Sequence, residues 1–121
     1  MDDNLMLRLN LLTDSGEIDE SIKDVVIDFI ERIEKNYSLK VTEENGSMLV
    51  SHLAMALGRI KRGEEIDAID EEIFKEVKET EIYNEMPKYY SEIEGKLDIE
   101  IPQAEKDYIA LHVSTLIQKF K

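Results

Sequence analysis

The stretch DESIKDVVIDFIERIEKNY, residues 19–37, carries the clearest helical pattern in the chain and decides its fold class. Its apolar residues recur at the spacing of one helix face, and the stripe they form is Ile22, Val26, Phe29 and Ile33. Asp19 or Ser21 has a side chain suited to cap the N-terminus. The stretch therefore predicts an amphipathic α-helix from about Asp19 to Tyr37 with one buried face.

Further helical patterns follow, separated by short polar breaks. The EENGS stretch, residues 43–47, is interpreted as a turn, with Ser47 as the N-cap of a helix that ends at Gly63. The buried stripe of that helix is predicted to be Leu49, Leu53, Ala56 and Ile60. Residues 69–79 (IDEEIFKEVKE) predict a short amphipathic helix capped by Asp70.

Two prolines mark the last two helices. Pro87 fits the first turn of a helix that continues to about Leu97, and Pro102 opens the final helix. The core stripe of the final helix is predicted to be Ile109, Val113, Leu116 and Phe120. Five helices without a convincing strand, low-complexity linker or internal repeat predict a compact all-α five-helix bundle.

The leucine-rich segment LMLRLNLL, residues 5–12, fits two structures equally well. A helix would bury one set of leucines, namely Leu5, Leu9 and Leu12. A strand would bury another set, namely Leu5, Leu7, Leu9 and Leu11. Because Ser15-Gly16 breaks the pattern, we predict a short N-terminal segment over residues 1–16 and the helical domain over residues 17–121.

Composition narrows the classes of function. The chain has 121 residues and a formal net charge of -13, which fits a single acidic domain. Such a surface repels polyanions, so we expect no direct binding of nucleic acid. The absence of cysteine excludes disulfides, thiolate catalysis and zinc fingers. No apolar run is long enough for a membrane helix and no signal peptide is recognisable, so we expect a cytoplasmic protein without membrane contact.

His52 and His112 are the two histidines and the candidate reactive groups. Arg59 follows His52 by seven residues and Glu105 precedes His112 by seven, so each histidine shares a helix face with a charged residue. Tyr108 lies between Glu105 and His112. A neutral imidazole can accept a phosphoryl group near neutral pH, and a guanidinium stabilises phosphoryl oxygens. A carboxylate such as Glu105 would fix the tautomer of an imidazole on a neighbouring helix.

Simpler interpretations remain open at this point. Arg59, Lys61 and Arg62 lie at the C-terminal end of a helix, where positive charge is favourable without any ligand. The histidines and carboxylates would alternatively hold a divalent metal ion, although no HxxxH or HExxH spacing supports one. No nucleotide-binding loop, Ser-His-Asp arrangement or cofactor motif is recognisable, so we expect neither enzymatic turnover nor a cofactor.

Three stretches resemble the PTS-regulation domain (PRD), the helical module of bacterial sugar-operon antiterminators and activators. They are HLAMALGRIKRGEEI (residues 52–66), YNEMPKYYSEIEGKLDIEIP (residues 83–102) and IPQAEKDYIALHV (residues 101–113). The first resembles the family's first histidine block, the second its fourth helix, and the third its second histidine block. The resemblance covers roughly residues 17–121.

The resemblance implies a five-helix bundle that forms a homodimer. It also implies that His52 and His112 accept phosphoryl groups from proteins of the phosphotransferase system (PTS), either the phosphocarrier HPr or an enzyme II B component. Arg59, Glu105 and Tyr108 carry over as neighbours of the phosphorylated site. We therefore expect a phosphohistidine-controlled regulator of bacterial carbohydrate-linked transcription that acts through protein–protein association, including association with a separate regulator protein.

The sequence departs from the family's pattern in two respects. Such domains usually occur in tandem beside an RNA-binding or DNA-binding domain, whereas this sequence has one copy, so we expect a stand-alone domain. Ser51 stands where family members often have an acidic residue before the first histidine. One alternative is a passive helical dimerisation module without phosphorylation, and another is a small metal-binding protein.

Overall fold

The computed structural model describes residues 1–120, and this part of the chain folds into six α-helices. In chain order they are α1 (Asp3–Asp14), α2 (Glu20–Tyr37), α3 (Glu43–Lys61), α4 (Glu71–Lys78), α5 (Glu81–Leu97) and α6 (Gln103–Gln118). The all-α prediction is confirmed, but the predicted number of five helices is wrong, because the N-terminal segment forms an additional helix, α1. Helix α3 packs against α6 at the centre, α1 and α2 cover α3, and α5 covers α6. Within residues 1–120, no helix has the length and apolarity needed to cross a membrane.

The leucine-rich N-terminal segment is helix α1, so the helical interpretation is correct and the strand interpretation is wrong. Leu5 and Leu9 are fully buried, whereas Leu7 and Leu11 are 56% and 60% exposed. The Asp2 carboxylate caps the helix by accepting from two backbone amides of the first turn. Leu5 and Leu9 belong to the main core, because α1 packs against both α2 and α3.

Helix α2 has the predicted extent and Asp19 caps it, but α3 begins earlier than predicted. Its N-cap is Thr42 and not Ser47: the Thr42 side chain accepts from the amide of Asn45, and the Asn45 side chain accepts from the amide of Thr42. The EENGS stretch is therefore the first turn of the helix. Gly46 is tolerated in this turn because its backbone packs directly against Val41.

Helix α5 also begins earlier than predicted, because Pro87 lies inside the helix and not in its first turn. Proline removes one backbone donor from a helix interior. Here Ile82 and Met86 are buried on the preceding turns, and this burial holds the helix together despite the proline. Asp70 caps α4 as predicted.

Most residues of the predicted core stripes are buried, including all four on α2. On α3, Leu49, Leu53 and Ala56 are buried and Ile60 is partly buried. On α6 the prediction fails for Phe120, which follows the end of the helix and is 48% exposed.

The fold contains an internal repeat, so the expectation from the sequence that there is none is wrong. Helices α2 and α3 correspond to α5 and α6 at a constant offset of 60 residues, without any insertion. Among the identical residues at this offset are Ile22 and Ile82, Ile33 and Ile93, Glu34 and Glu94, and His52 and His112. Most other paired positions conserve only size or burial, which is why the repeat is hard to see in the sequence.

We call α2 with α3 the first hairpin and α5 with α6 the second. Both hairpins have the same connection between their two helices. The residue after the first helix has a left-handed backbone in each, with φ of 53° at Ser38 and 52° at Asp98. The carboxylates of Glu34 and Glu94 each accept from a backbone amide seven residues later, at 2.9 and 2.8 Å. We call this arrangement the carboxylate clasp.

Equivalent residues of the two hairpins contact each other, so the hairpins are related by a pseudo-twofold axis. Phe29 packs edge-on against its equivalent Tyr89, with 5.3 Å between ring centroids. Arg32 donates to its equivalent Glu92 at 2.6 Å. The two hairpins therefore pack on each other through pairs of equivalent residues.

Helix α3 comes very close to the loop before α2 at Gly58. A substitution of this glycine tests how tight the contact is. A Cβ atom at Gly58 would lie 2.5 Å from the backbone oxygen of Glu17, and a backbone atom cannot rotate away. We expect Gly58→Ala to lower the free energy of unfolding by about 1–3 kcal/mol, as overpacking does.

Gly95→Ala is the matched control, because nothing lies within 4 Å of a Cβ atom at that helical position. It should raise the free energy of unfolding by about 0.5–1 kcal/mol, since alanine is the better helix former. Urea unfolding followed by circular dichroism measures both variants. Equal effects at the two positions would contradict the close approach at Gly58.

Candidate functional site

The centre of the site is a pair of stacked imidazoles. His52 in the middle of α3 and His112 in the middle of α6 have ring centroids 4.4 Å apart and ring planes 16° from parallel. The two residues are equivalent in the repeat, so the stack lies on the pseudo-twofold axis. Sequence analysis singled out both histidines but did not predict that they touch.

A groove of about 450 Å³ opens beside the imidazole stack, between α3 and α6. The five residues predicted for the site all line it, namely His52, Arg59, Glu105, Tyr108 and His112. The structure therefore brings together everything that the sequence proposed for this site. Much of the remaining wall is apolar and includes Leu53 and Ile109.

Arg59 and Glu105 form a bidentate ion pair at one end of the groove. Arg59 Nε donates to one carboxylate oxygen at 3.2 Å and Nη2 donates to the other at 3.0 Å. Glu105 is only 1% exposed, and a buried carboxylate needs a hydrogen-bonded partner of opposite charge, which Arg59 supplies. The expectation that Glu105 fixes the tautomer of an imidazole is not met: its oxygens accept from Arg59, and neither described imidazole donates to it.

Lys61 and Arg62 do not line the groove, although they follow Arg59 closely in sequence. Lys61 donates to Asp19 and Ser21 at 2.9 Å each. The hydroxyl of Ser21, which donates to the Asp19 carboxylate, and then Lys61 hold the pKa of that carboxyl well below its ordinary value. Arg62 donates to Glu64 and to a backbone oxygen in the loop before α2. Of these three cations, Arg59 is therefore the one that lines the groove beside the imidazoles.

The two imidazoles differ in their surroundings. His52 is exposed, whereas His112 is half-buried. Burial, together with the smaller effect of the neighbouring His52, lowers the pKa of His112 from its ordinary value of 6.5 to about 4. His112 is therefore neutral at physiological pH, which is the form in which a ring nitrogen acts as a nucleophile.

A second, smaller groove of about 250 Å³ lies across the pseudo-twofold axis from the first. Here Lys119, the equivalent of Arg59, donates to the backbone oxygen of Asn45, the equivalent of Glu105, at 3.0 Å. The two halves therefore have the same arrangement of helices, but one has an ion pair where the other has a lysine on a backbone oxygen. Helices α3 and α6 are antiparallel, since the end of each contacts the start of the other.

Sequence analysis missed Asp67, which lines the larger groove from the loop between α3 and α4, and Lys119, which lines the smaller one. The offset of 60 residues was the available signal for Lys119, because it pairs that residue with Arg59. No comparable signal marks Asp67, whose position depends on the path of a loop.

The alternative of a metal site gains no support from the arrangement. Within the part of the chain that the structure describes, no group of three or more His, Asp or Glu side chains is placed to hold a metal ion. Glu105, the carboxylate considered for that role, is engaged by Arg59.

Removing Arg59 should destabilise the protein because it leaves the buried Glu105 carboxylate unpaired. We expect Arg59→Ala to lower the free energy of unfolding by about 3–5 kcal/mol at neutral pH. Lys88→Ala is the control, since Lys88 forms an ion pair with Glu85 on the open surface, and it should leave stability nearly unchanged. If the two variants have similar effects in urea unfolding, the buried pair does not have the structural role assigned to it.

The lowered pKa of His112 should make stability depend on pH. Between pH 6.5 and about 4, the unfolded chain holds the His112 proton and the folded protein does not, so stability falls as the pH is lowered. For a ring that solvent screens on one side, we expect this contribution to be about 1–2 kcal/mol.

The comparison of wild type with His112→Gln isolates this effect from other titrating groups. Urea unfolding at a series of pH values between 4 and 7 should show a steeper decline for the wild type. The same pH dependence in both proteins would mean that His112 titrates normally in the fold.

Comparison with known proteins identifies the family of the chain. The profile of the family described as PRD domain matches residues 27–116. The chain is 30% identical over 102 residues to the uncharacterized protein YhfY of Escherichia coli (strain K12), covering 84% of this chain and 85% of that protein. It is 24% identical over 105 residues to an uncharacterized protein of Haemophilus influenzae, covering 87% of this chain and 84% of the other. No solved structure matches the chain. The matched residues include both histidines and most of α2 to α6, and the chain belongs to the PRD domain family.

Proposed function

We propose that this protein is a phosphohistidine-controlled regulator of carbohydrate-linked transcription, and that His52 and His112 are its phosphoryl-acceptor residues. The observation that carries the proposal is the imidazole stack beside an open groove that is also lined by one arginine, Arg59. Membership of the PRD domain family supports a regulatory function connected with the phosphotransferase system. The proposed setting is the cytoplasm, where such phosphoryl donors act.

The proposed donor is HPr or an enzyme II B component carrying a phosphoryl group. For a phosphohistidine donor, the donor's N–P bond breaks while a ring nitrogen of His52 or His112 forms a new one. The acceptor ring loses its N–H proton and the donor ring gains a proton, so the reaction is balanced without a metal or another cofactor. His112 is neutral as required, and His52 is the more exposed of the two.

Arg59 is the residue proposed to respond to the new charge. A phosphoryl group adds about −1.5 to −2 charge at neutral pH, which a guanidinium accommodates through paired hydrogen bonds. Arg59 is already engaged by Glu105, so phosphorylation would set the phosphoryl group and the carboxylate in competition for one cation. Because the Arg59–Glu105 pair joins α3 to α6, weakening it by phosphorylation would change how these two helices pack.

The proposed output is protein association at the face that carries the histidines, either as a homodimer or with a separate regulator protein. Met48 and Met55 of α3 are 59% and 38% exposed, and they flank His52 in sequence. Exposed methionines are suited to adaptable protein contacts. A dianion beside them would change the repulsion at any such contact, because the chain already carries a net charge of -13.

Intact-mass measurement after incubation with phosphoenolpyruvate, enzyme I and HPr tests the proposal. We expect the wild type to gain a phosphoryl group that is reduced or lost in His52→Ala or His112→Ala. The samples must stay at neutral to alkaline pH, because phosphohistidine is acid-labile.

A PRD protein known to be phosphorylated in the same mixture is the positive control. If that control gains mass and this chain does not, with a cognate enzyme II donor also tried, the acceptor function is wrong. The chain would then be a passive helical module that has kept the bundle and uses it for association alone.

A further inference from the structure

We infer that the two histidines form one acceptor site that holds a single phosphoryl group, so that modification of either imidazole prevents modification of the other. The inference rests on the proposed function, since it concerns how the same site is occupied. It follows from the contact between the rings and from the charges that surround them.

The first argument is distance. The ring centroids of His52 and His112 are 4.4 Å apart and the rings are nearly parallel. A phosphoryl group lies in the plane of its own imidazole, next to a ring nitrogen. Two such groups on stacked rings would therefore be close neighbours, each carrying about −1.5 to −2 charge. Like charges at this separation, partly shielded from solvent, repel strongly.

The second argument is the supply of positive charge. In the larger groove, Arg59 is the cation among the described lining residues; two carboxylates also line it, namely Glu105, which pairs with Arg59, and Asp67. In the smaller groove, Lys119 is the cation beside His112. Before any modification, the two positive charges of Arg59 and Lys119 balance the two negative charges of Glu105 and Asp67. A first phosphoryl group can draw Arg59 away from Glu105, and a second would have only Lys119, an ammonium without the paired donors of a guanidinium.

The third argument is symmetry. Because the histidines are equivalent in the repeat and touch across the pseudo-twofold axis, both rings line the larger groove, although His112 also lines the smaller one. Helix α3 contributes His52 and Arg59 to the larger groove, while α6 contributes His112, Glu105 and Tyr108. The pair consequently behaves as one unit with two alternative points of attachment.

Phosphoramidate, a small phosphoryl donor that needs no protein partner, tests the inference. Attack by a ring nitrogen breaks its P–N bond and forms the new one, and the ring proton leaves with ammonia as ammonium. The proteins to compare are the wild type, His52→Gln and His112→Gln, each folded, and the wild type in concentrated urea. Intact mass at neutral to alkaline pH counts the phosphoryl groups.

We expect one group on the folded wild type, one on each single-histidine variant and two on the unfolded wild type. At an exposure that fully modifies both variants, the doubly modified wild type should stay below about a tenth of the singly modified form. Two groups on the folded wild type would overturn the inference, and so would none. A variant that accepts no group would also overturn it, because burial of the remaining histidine would then explain the count.

These outcomes are separable from those of the proposed function. If phosphoramidate gives the expected pattern while HPr and enzyme II transfer nothing, the single-occupancy site stands and the proposed donors are wrong. If those proteins phosphorylate both histidines of one chain, the acceptor function stands and mutual exclusion is wrong.

Discussion

The contact between α3 and α6 is the constraint on which the rest of the structure depends, and the Arg59–Glu105 pair fixes it. A carboxylate that is almost fully buried needs a partner with matching geometry, and the guanidinium supplies two hydrogen bonds to it. This pair joins the end of α3 to the start of α6. It thereby sets the register in which His52 and His112 meet at the middle of the two helices.

The helices around the site are related by the pseudo-twofold axis, but the charged side chains that they carry are not. The aromatic pair Phe29–Tyr89 and the imidazole pair both lie on the axis, so the symmetry is preserved there. Away from the axis the two halves have diverged: one has the strong Arg59–Glu105 pair, and the other has Lys119 on a backbone oxygen. One half therefore holds a cation in a fixed position, and the other holds it on the surface.

Much of this was predictable from the sequence, because it depends on local patterns. The stripe on α2 and the cap at Asp70 were found correctly, since periodicity and capping act within a few residues. The start of α3 was misjudged because Gly46 and Asn45 indicate a turn in most sequences, whereas here a capping box and a close contact with Val41 place them in a helix. The stacking of the histidines depends on how distant helices pack, and periodicity within one helix carries no information about that.

The carboxylate clasps have a consequence for the order in which the molecule is assembled. Glu34 and Glu94 reach amides only seven residues away, so each hairpin is closed by contacts that are local in the chain. The imidazole stack joins residues sixty positions apart and requires a much larger loop to close. Local contacts form before distant ones when loop closure limits the rate. The hairpins are therefore expected to form first, with the histidine site appearing only when the two hairpins dock, so that an intact site reports a completed fold.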